Sequence, residues 1–101
     1  MAATDTAEQP APGDPVPHGT IRYWAAAKAA AGTAEEPYRA ATLAGALAEA
    51  RRRHAGEPEF GRVLERSSFL VDGLSVGTRD HEGVQLADGG TVEVLPPFAG
   101  G

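Results

Sequence analysis

No cysteine occurs among the 101 residues of the chain. That absence excludes disulfide stapling, a thiolate nucleophile, a cysteine-ligated zinc and a persulfide held by the chain itself, so any sulfur chemistry must run through another atom. A long basic run is missing too, and the formal charge is −5, which argues against nucleic-acid binding through phosphate contacts. The exception is Arg51-Arg52-Arg53. At the end of a helix three arginines form a solvated face that suits the helix dipole. No segment is apolar for long enough to cross a bilayer, and the start lacks the basic opening and apolar stretch of a secretory signal. The chain reads as cytoplasmic, with neither a membrane nor a nucleic acid as partner.

Met1 to His18 holds four prolines, no aromatic residue and, after Met1, Val16 as its only larger aliphatic. It reads as a disordered leader at 1–18, because it cannot bury enough apolar surface to offset chain entropy. The domain proper is then 19–101, one small unit that buries only about 60 to 65% of its unfolded surface. Such a domain has little room for an internal active site. No repeat or low-complexity segment follows the leader.

Thr20 to Ala25 alternates, with Ile21, Tyr23 and Ala25 on one side and Thr20, Arg22 and Trp24 on the other, as a half-buried strand does. Ala26 to Ala31 predicts a short helix stopped by Gly32. A second strand is expected near Glu35 to Arg39, where Pro37 makes it an edge or irregular strand. Thr42 caps the clearest helix, whose Leu43, Ala46, Leu47 and Ala50 share one face and which ends near His54 to Gly56. Pro58 to Glu65 suggests a second short helical turn with Phe60, Val63 and Leu64 as its apolar residues. Ser68 to Val71, an Asp72-Gly73 turn and Leu74 to Val76 predict a hairpin, and Asp88-Gly89-Gly90 is a turn into a last strand. One main helix over strands on one face indicates α+β.

Thr91-Val92-Glu93-Val94-Leu95 alternates as a strand, and Pro96-Pro97 cannot donate to a ladder, so pairing should end there. The six residues Pro96 to Gly101 could reach about 20 Å beyond the body. The last two carry no Cβ and suit a narrow tunnel. An α-carboxyl, with a pKa of about 3.3 to 3.7, is ionised at neutral pH and could attack the α-phosphate of ATP once a partner positions the two. Taken alone, a terminal diglycine equally reads as a frayed end.

Three stretches together resemble the MoaD/ThiS family of ubiquitin-like sulfur carriers, and within it the small subunit of molybdopterin synthase. They are Ile21 to Ala25 with the helix to Gly32-Thr33, Phe69-Leu70-Val71-Asp72-Gly73, and above all Leu86 to Gly101 with its acidic-glycine turn, strand, proline pair and diglycine. The resemblance covers about Gly19 to Gly101 and implies a ubiquitin-like β-grasp, a mixed sheet with one main helix packed across it. It further implies adenylation of the Gly101 carboxylate by a ubiquitin-activating-like sulfurtransferase and conversion to a thiocarboxylate, with Gly100 as the slim neighbour that threads the tunnel. The large subunit of molybdopterin synthase, or another acceptor enzyme, would take the sulfur and supply catalysis. ATP would be used by the activating partner, with no cofactor bound by this chain. Two departures stand out: Thr91 where the family often has an acidic residue, and the leader.

Pro97, Phe98 and Ala99 precede the diglycine and are expected to contact the partners. Trp24 either anchors a partner from the open face of the sheet or packs against the short helix or Phe98. His54 falls on the apolar helix face as a core-edge or capping residue, Asp80-His81-Glu82 as a solvated loop, and His18 in the leader. Other expectations stay open. The same sulfur could serve thiamine, cysteine, RNA thiolation or secondary-metabolite synthesis, the chain could be a ubiquitin-like modifier that forms an isopeptide, or it could be a plain binding module.

Overall fold

The computed structural model describes residues 16–97. Ile21 and Tyr23 point inward from the first strand while Arg22 is exposed, so the period-two pattern fixes which face meets the core. In chain order the elements are β1 (His18–Tyr23), α1 (Ala25–Ala31), β2 (Glu35–Arg39), α2 (Leu43–Arg53), α3 (Pro58–Arg66), β3 (Ser68–Val71), β4 (Leu74–Ser75) and β5 (Thr91–Leu95), with a 3₁₀ turn at His81–Gly83. The sheet order is β2-β1-β5-β3-β4. β1 and β5 run parallel, and the other pairs are antiparallel. This is the mixed sheet of an α+β ubiquitin-like β-grasp, with α1 and α3 joining the main helix α2 in the covering layer.

Both ends of β1 differ from the sequence reading, and β4 stops at Ser75, one residue short of the Leu74 to Val76 strand expected. β1 begins at His18, inside the stretch read as leader, because His18 N–H donates to Asp88 Oδ1 at 2.9 Å and its carbonyl accepts from Gly89 N–H at 2.6 Å. The Pro17 carbonyl likewise accepts from Ala40 N–H at 3.0 Å. At the other end the strand stops at Tyr23, and Ala25, with φ of 50°, opens α1 instead of joining the strand's inward face. That left-handed step costs of the order of 1 kcal/mol for a residue with a Cβ and swings the chain sharply from sheet to helix. α3 is also a full helix of nine residues, which buries Phe60, Val63 and Leu64.

α2 packs its Leu43, Ala46, Leu47 and Ala50 face into the core shared with Ile21, Val92 and Val94. Thr42 caps it by accepting from Gly45 N–H at 3.1 Å. Its start is tied to the approach to β5, because Leu43 N–H donates to the Val84 carbonyl and Leu86 N–H to the Ala41 carbonyl, both at 2.9 Å. The β3–β4 hairpin turns through Asp72 and Gly73, with φ of 51° and 84°, the paired positive angles that a two-residue hairpin needs. Gly19 is required for a different reason. A Cβ there would lie 2.4 Å from the Tyr38 ring and 2.5 Å from the Gly90 carbonyl, and Tyr38 is held in place by donating its hydroxyl to the Ala87 carbonyl at 2.6 Å.

Leu47 is 5% exposed at the centre of this packing. Leu47→Ala should therefore cost about 2 to 5 kcal/mol in denaturant melts. A loss below about 0.5 kcal/mol, typical of surface positions, would place α2 the wrong way round.

Candidate functional site

The base of the C-terminal tail is built at the middle of the sheet. β5 pairs with β1 from Thr20↔Thr91 to Tyr23↔Val94 and with β3 from Val71↔Val92 to Ser68↔Leu95. Its inward residues Val92 and Val94 are fully buried. Pro96 follows, buried, and Pro97 is exposed. Neither ring nitrogen can donate a hydrogen bond, so the ladder ends where the sequence reading placed its end. Gly101, Gly100, Ala99 and Phe98 lie outside the described residues. What the structure describes is the exit from which they start, flanked by the end of β1 and the beginning of β3.

Trp24 stands beside that exit. It occupies the N-cap position of α1, and its backbone N–H donates to the Val94 carbonyl at 3.2 Å. The residue is 44% exposed. The indole Nε1–H donates to Glu93 Oε1 at 3.0 Å, and the Arg22 guanidinium lies 5.7 Å from the ring centroid. Arg22 in turn meets Glu35 at 3.4 Å. Arg22 and Glu93 are register partners on the face opposite Ile21 and Val92. The indole is thus held by its edge, with much of its surface free. Such a side chain loses little rotamer freedom on meeting a partner.

A second polar group of residues is a clamp rather than a reaction centre. Glu36 on β2 has a side chain only 9% exposed. It accepts from the Tyr23 hydroxyl at 2.5 Å, sits 2.9 Å from His54 Nε2, and meets Arg53 at 3.3 Å. His54 ends α2 and stacks at a tilt on Phe60, 4.4 Å between centroids. The histidine is therefore the core-edge residue that its helical position suggested, but its partner was missed because Glu36 is remote in sequence. Burial alone would raise the Glu36 pKa. The hydrogen bonds from Tyr23 and His54, with the charges of His54 and Arg53, outweigh it and hold the carboxyl below its ordinary value. Burial foremost, then the hydrogen bond to Glu36 and its charge, push the Tyr23 hydroxyl far above its usual range.

Asp80 and His81 do not converge on a centre either. Asp80 caps the 3₁₀ turn by accepting from Glu82 N–H, and His81 packs edge-on against Phe69 at 5.2 Å. Among the described residues no group of three or more His, Cys, Asp or Glu could hold a metal. No helix there is long and apolar enough to cross a membrane. The described part of the site is accordingly the exit of β5 with an exposed aromatic beside it.

The model of the ThiS family matches residues 21–101, from the second half of β1 to the diglycine. The chain belongs to the ThiS family. Among curated protein sequences none matches. Solved structures share the fold. Small archaeal modifier protein 1 of Methanosarcina acetivorans matches with a TM-score of 0.71 at 19% identity, over 85% of this chain and 98% of that one. A Haloferax volcanii protein gives 0.67 at 26% identity, over 85% and 88%. A protein in the complex of subunits 1 and 2 of the Helicobacter pylori molybdopterin-converting factor gives 0.59 at 18% identity, over 83% and 99%. As a ThiS family member the chain has its β5 and proline pair inside the matched region.

Protonating Glu36 breaks the clamp. Its carboxyl binds a proton less readily when folded, so the unfolded chain takes up more protons and stability rises with pH through that range. Stability should fall as pH drops below the ordinary carboxylate value of 4.5, and Glu36→Gln should flatten that dependence in urea melts taken across it. Equal pH slopes for the two proteins would show that the clamp does not hold the fold.

Proposed function

We propose that the chain is a sulfur carrier whose Gly101 carboxylate is the reacting group. The observation that carries this reading is the family match running through β5 and the proline pair to residue 101, with β5 paired to β1 through Val94 and to β3 through Leu95. A rigid base followed by a slim end suits delivery of one carboxylate into another protein's active site.

In the proposed reaction a Gly101 carboxylate oxygen attacks the α-phosphorus of ATP in an adenylating partner, and pyrophosphate leaves. The outer sulfur of a persulfide on a partner then attacks the acyl carbon, the C–O bond to AMP breaks and a C–S bond forms. A second thiol of that partner attacks the inner sulfur, the S–S bond to the acyl sulfur breaks, and the thiocarboxylate leaves as the partner is oxidised to a disulfide. The sulfur must come from elsewhere, because the chain has no cysteine. Adenylation supplies the leaving group that a carboxylate lacks. The proposed consumer is molybdopterin synthesis, with a large synthase subunit accepting the tail. The support is the fold shared with a protein in the complex of subunits 1 and 2 of a molybdopterin-converting factor.

Removing Gly101 would withdraw the reacting carbon by about 3.5 Å, a displacement that can cost 10²-fold in rate or more, so about that loss of thiocarboxylate is expected. Gly100→Val should act similarly by adding a branched side chain inside the passage. The assay is the cognate activating enzyme with ATP and a sulfur donor, read by pyrophosphate release and intact mass. Thiocarboxylation of the Gly101 deletion at the wild-type rate would overturn the carrier assignment. Transfer of sulfur to a precursor of thiamine, cysteine or a thiolated RNA, and not of molybdopterin, would redirect the pathway.

Trp24 is the proposed partner anchor. Trp24→Ala should weaken binding to the activating or acceptor enzyme by about 2 kcal/mol, the scale of an interface hot spot, and leave the melting curve nearly unchanged. Unaltered affinity for both partners, measured by titration calorimetry, would remove it from the interface.

A further inference from the structure

An activated acyl group at the end of a protein threatens the nucleophiles of that same protein. With no cysteine in the chain, thiols are excluded, and hydroxyls are weak nucleophiles without an adjacent base. The side-chain amines then decide what can react. Eight of the nine basic residues are arginine, whose guanidinium stays protonated. Lys28 is the only lysine.

Its position is as specific as its count. Lys28 lies exposed on α1, one turn after Trp24, whose carbonyl accepts from Lys28 N–H at 3.4 Å. It borders a shallow hollow of about 120 Å³ lined with Arg22, Tyr23, Trp24, Ala34 and Glu35. Trp24 forms one wall. The lysine makes no ion pair among the described residues, so its amine is not committed to a carboxylate.

We infer that Lys28 Nζ is the acceptor for an isopeptide bond from the activated diglycine end of a second copy of this chain. The inference rests on the proposed activation of Gly101. In the step, neutral Nζ, one proton already lost to water, attacks the carbonyl carbon of the acyl adenylate. The C–O bond to AMP breaks, the C–N bond forms, the remaining ammonium proton passes to water, and AMP departs with the electron pair. The hollow beside Trp24 is the approach to Lys28. A second copy is the donor because Pro96-Pro97 stiffens the start of a chain's own tail and opposes its doubling back toward α1. When sulfur is plentiful, the sulfur nucleophile consumes the adenylate first. When sulfur is scarce, the adenylate lasts long enough for the amine.

The test uses the full chain, its activating enzyme and ATP, with the sulfur donor withheld. The expected product is a covalent dimer with the mass of two chains less one water. Trypsin should then yield Tyr23–Arg39, uncut at Lys28, joined to Asp80–Gly101. Lys28→Arg should abolish the dimer and leave pyrophosphate release unchanged. The double variant Lys28→Arg/Arg62→Lys moves the amine to an exposed position on α3 and should not restore it. Normal adenylation with no dimer, with a cyclised monomer, or with full rescue by the moved lysine overturns the inference and spares the carrier reading. Loss of adenylation in the wild type overturns that reading instead.

Discussion

Strand β5 takes hydrogen bonds along both edges, parallel to β1 and antiparallel to β3, and its inward Val92 and Val94 are sealed under the helices. Two-sided pairing with complete burial of one face leaves the strand no alternative register, because a slip of one residue would turn both valines outward. The position of Leu95 is therefore fixed by the whole sheet. Whatever leaves the body after Pro96 leaves from a defined point and in a defined direction. A β5 at the edge of the sheet would have one row of partners and a looser exit.

The helical layer serves the same constraint. The ties from Leu43 N–H to the Val84 carbonyl and from Leu86 N–H to the Ala41 carbonyl join the start of α2 to the segment that leads into β5. The Glu36 clamp does the equivalent at the other end of α2, where His54 and Arg53 reach back to β2 and Tyr23 of β1. A nearly buried carboxylate contributes little net stability over an apolar replacement, yet leaving it without its partners is costly. It fixes how the end of α2 meets the sheet. Both devices hold the platform still and leave the face of the sheet with Trp24, Arg22 and Glu93 uncovered by helices.

Much of this was legible in the sequence because alternation and turn chemistry are local. Glu35 to Arg39, Ser68 to Val71 and Thr91 to Leu95 form strands with the boundaries that their residues predict. The Thr42 cap, the α2 face and the Asp72-Gly73 turn follow the same local rules. Misplacements arose where distant contacts decide. His18 joins β1 because Asp88 and Gly89 meet it from across the chain, and Ala25 leaves the strand at a backbone angle that composition does not foretell. α3 grew from a turn to a helix because Phe60, Val63 and Leu64 found the core. The Glu36 clamp and the Gly19–Tyr38 contact each join residues far apart in sequence. At the candidate site the proline stop and the position of Trp24 on the face opposite Ile21 were readable, whereas the grip of Glu93 on the indole was not.

The central claim is that the reacting atom of this protein is the carboxyl carbon of Gly101, and it is tested most directly by the mass of the C-terminal peptide. The protein would be purified from the cells that produce it naturally, with reductant and alkylating agent omitted so that a thiocarboxylate survives. The peptide Asp80–Gly101 should include a fraction in which one oxygen is replaced by sulfur, with the substitution located by fragmentation at Gly101. A preparation from cells that are making sulfur-containing cofactors, in which that peptide carries only an ordinary carboxylate, would contradict the claim.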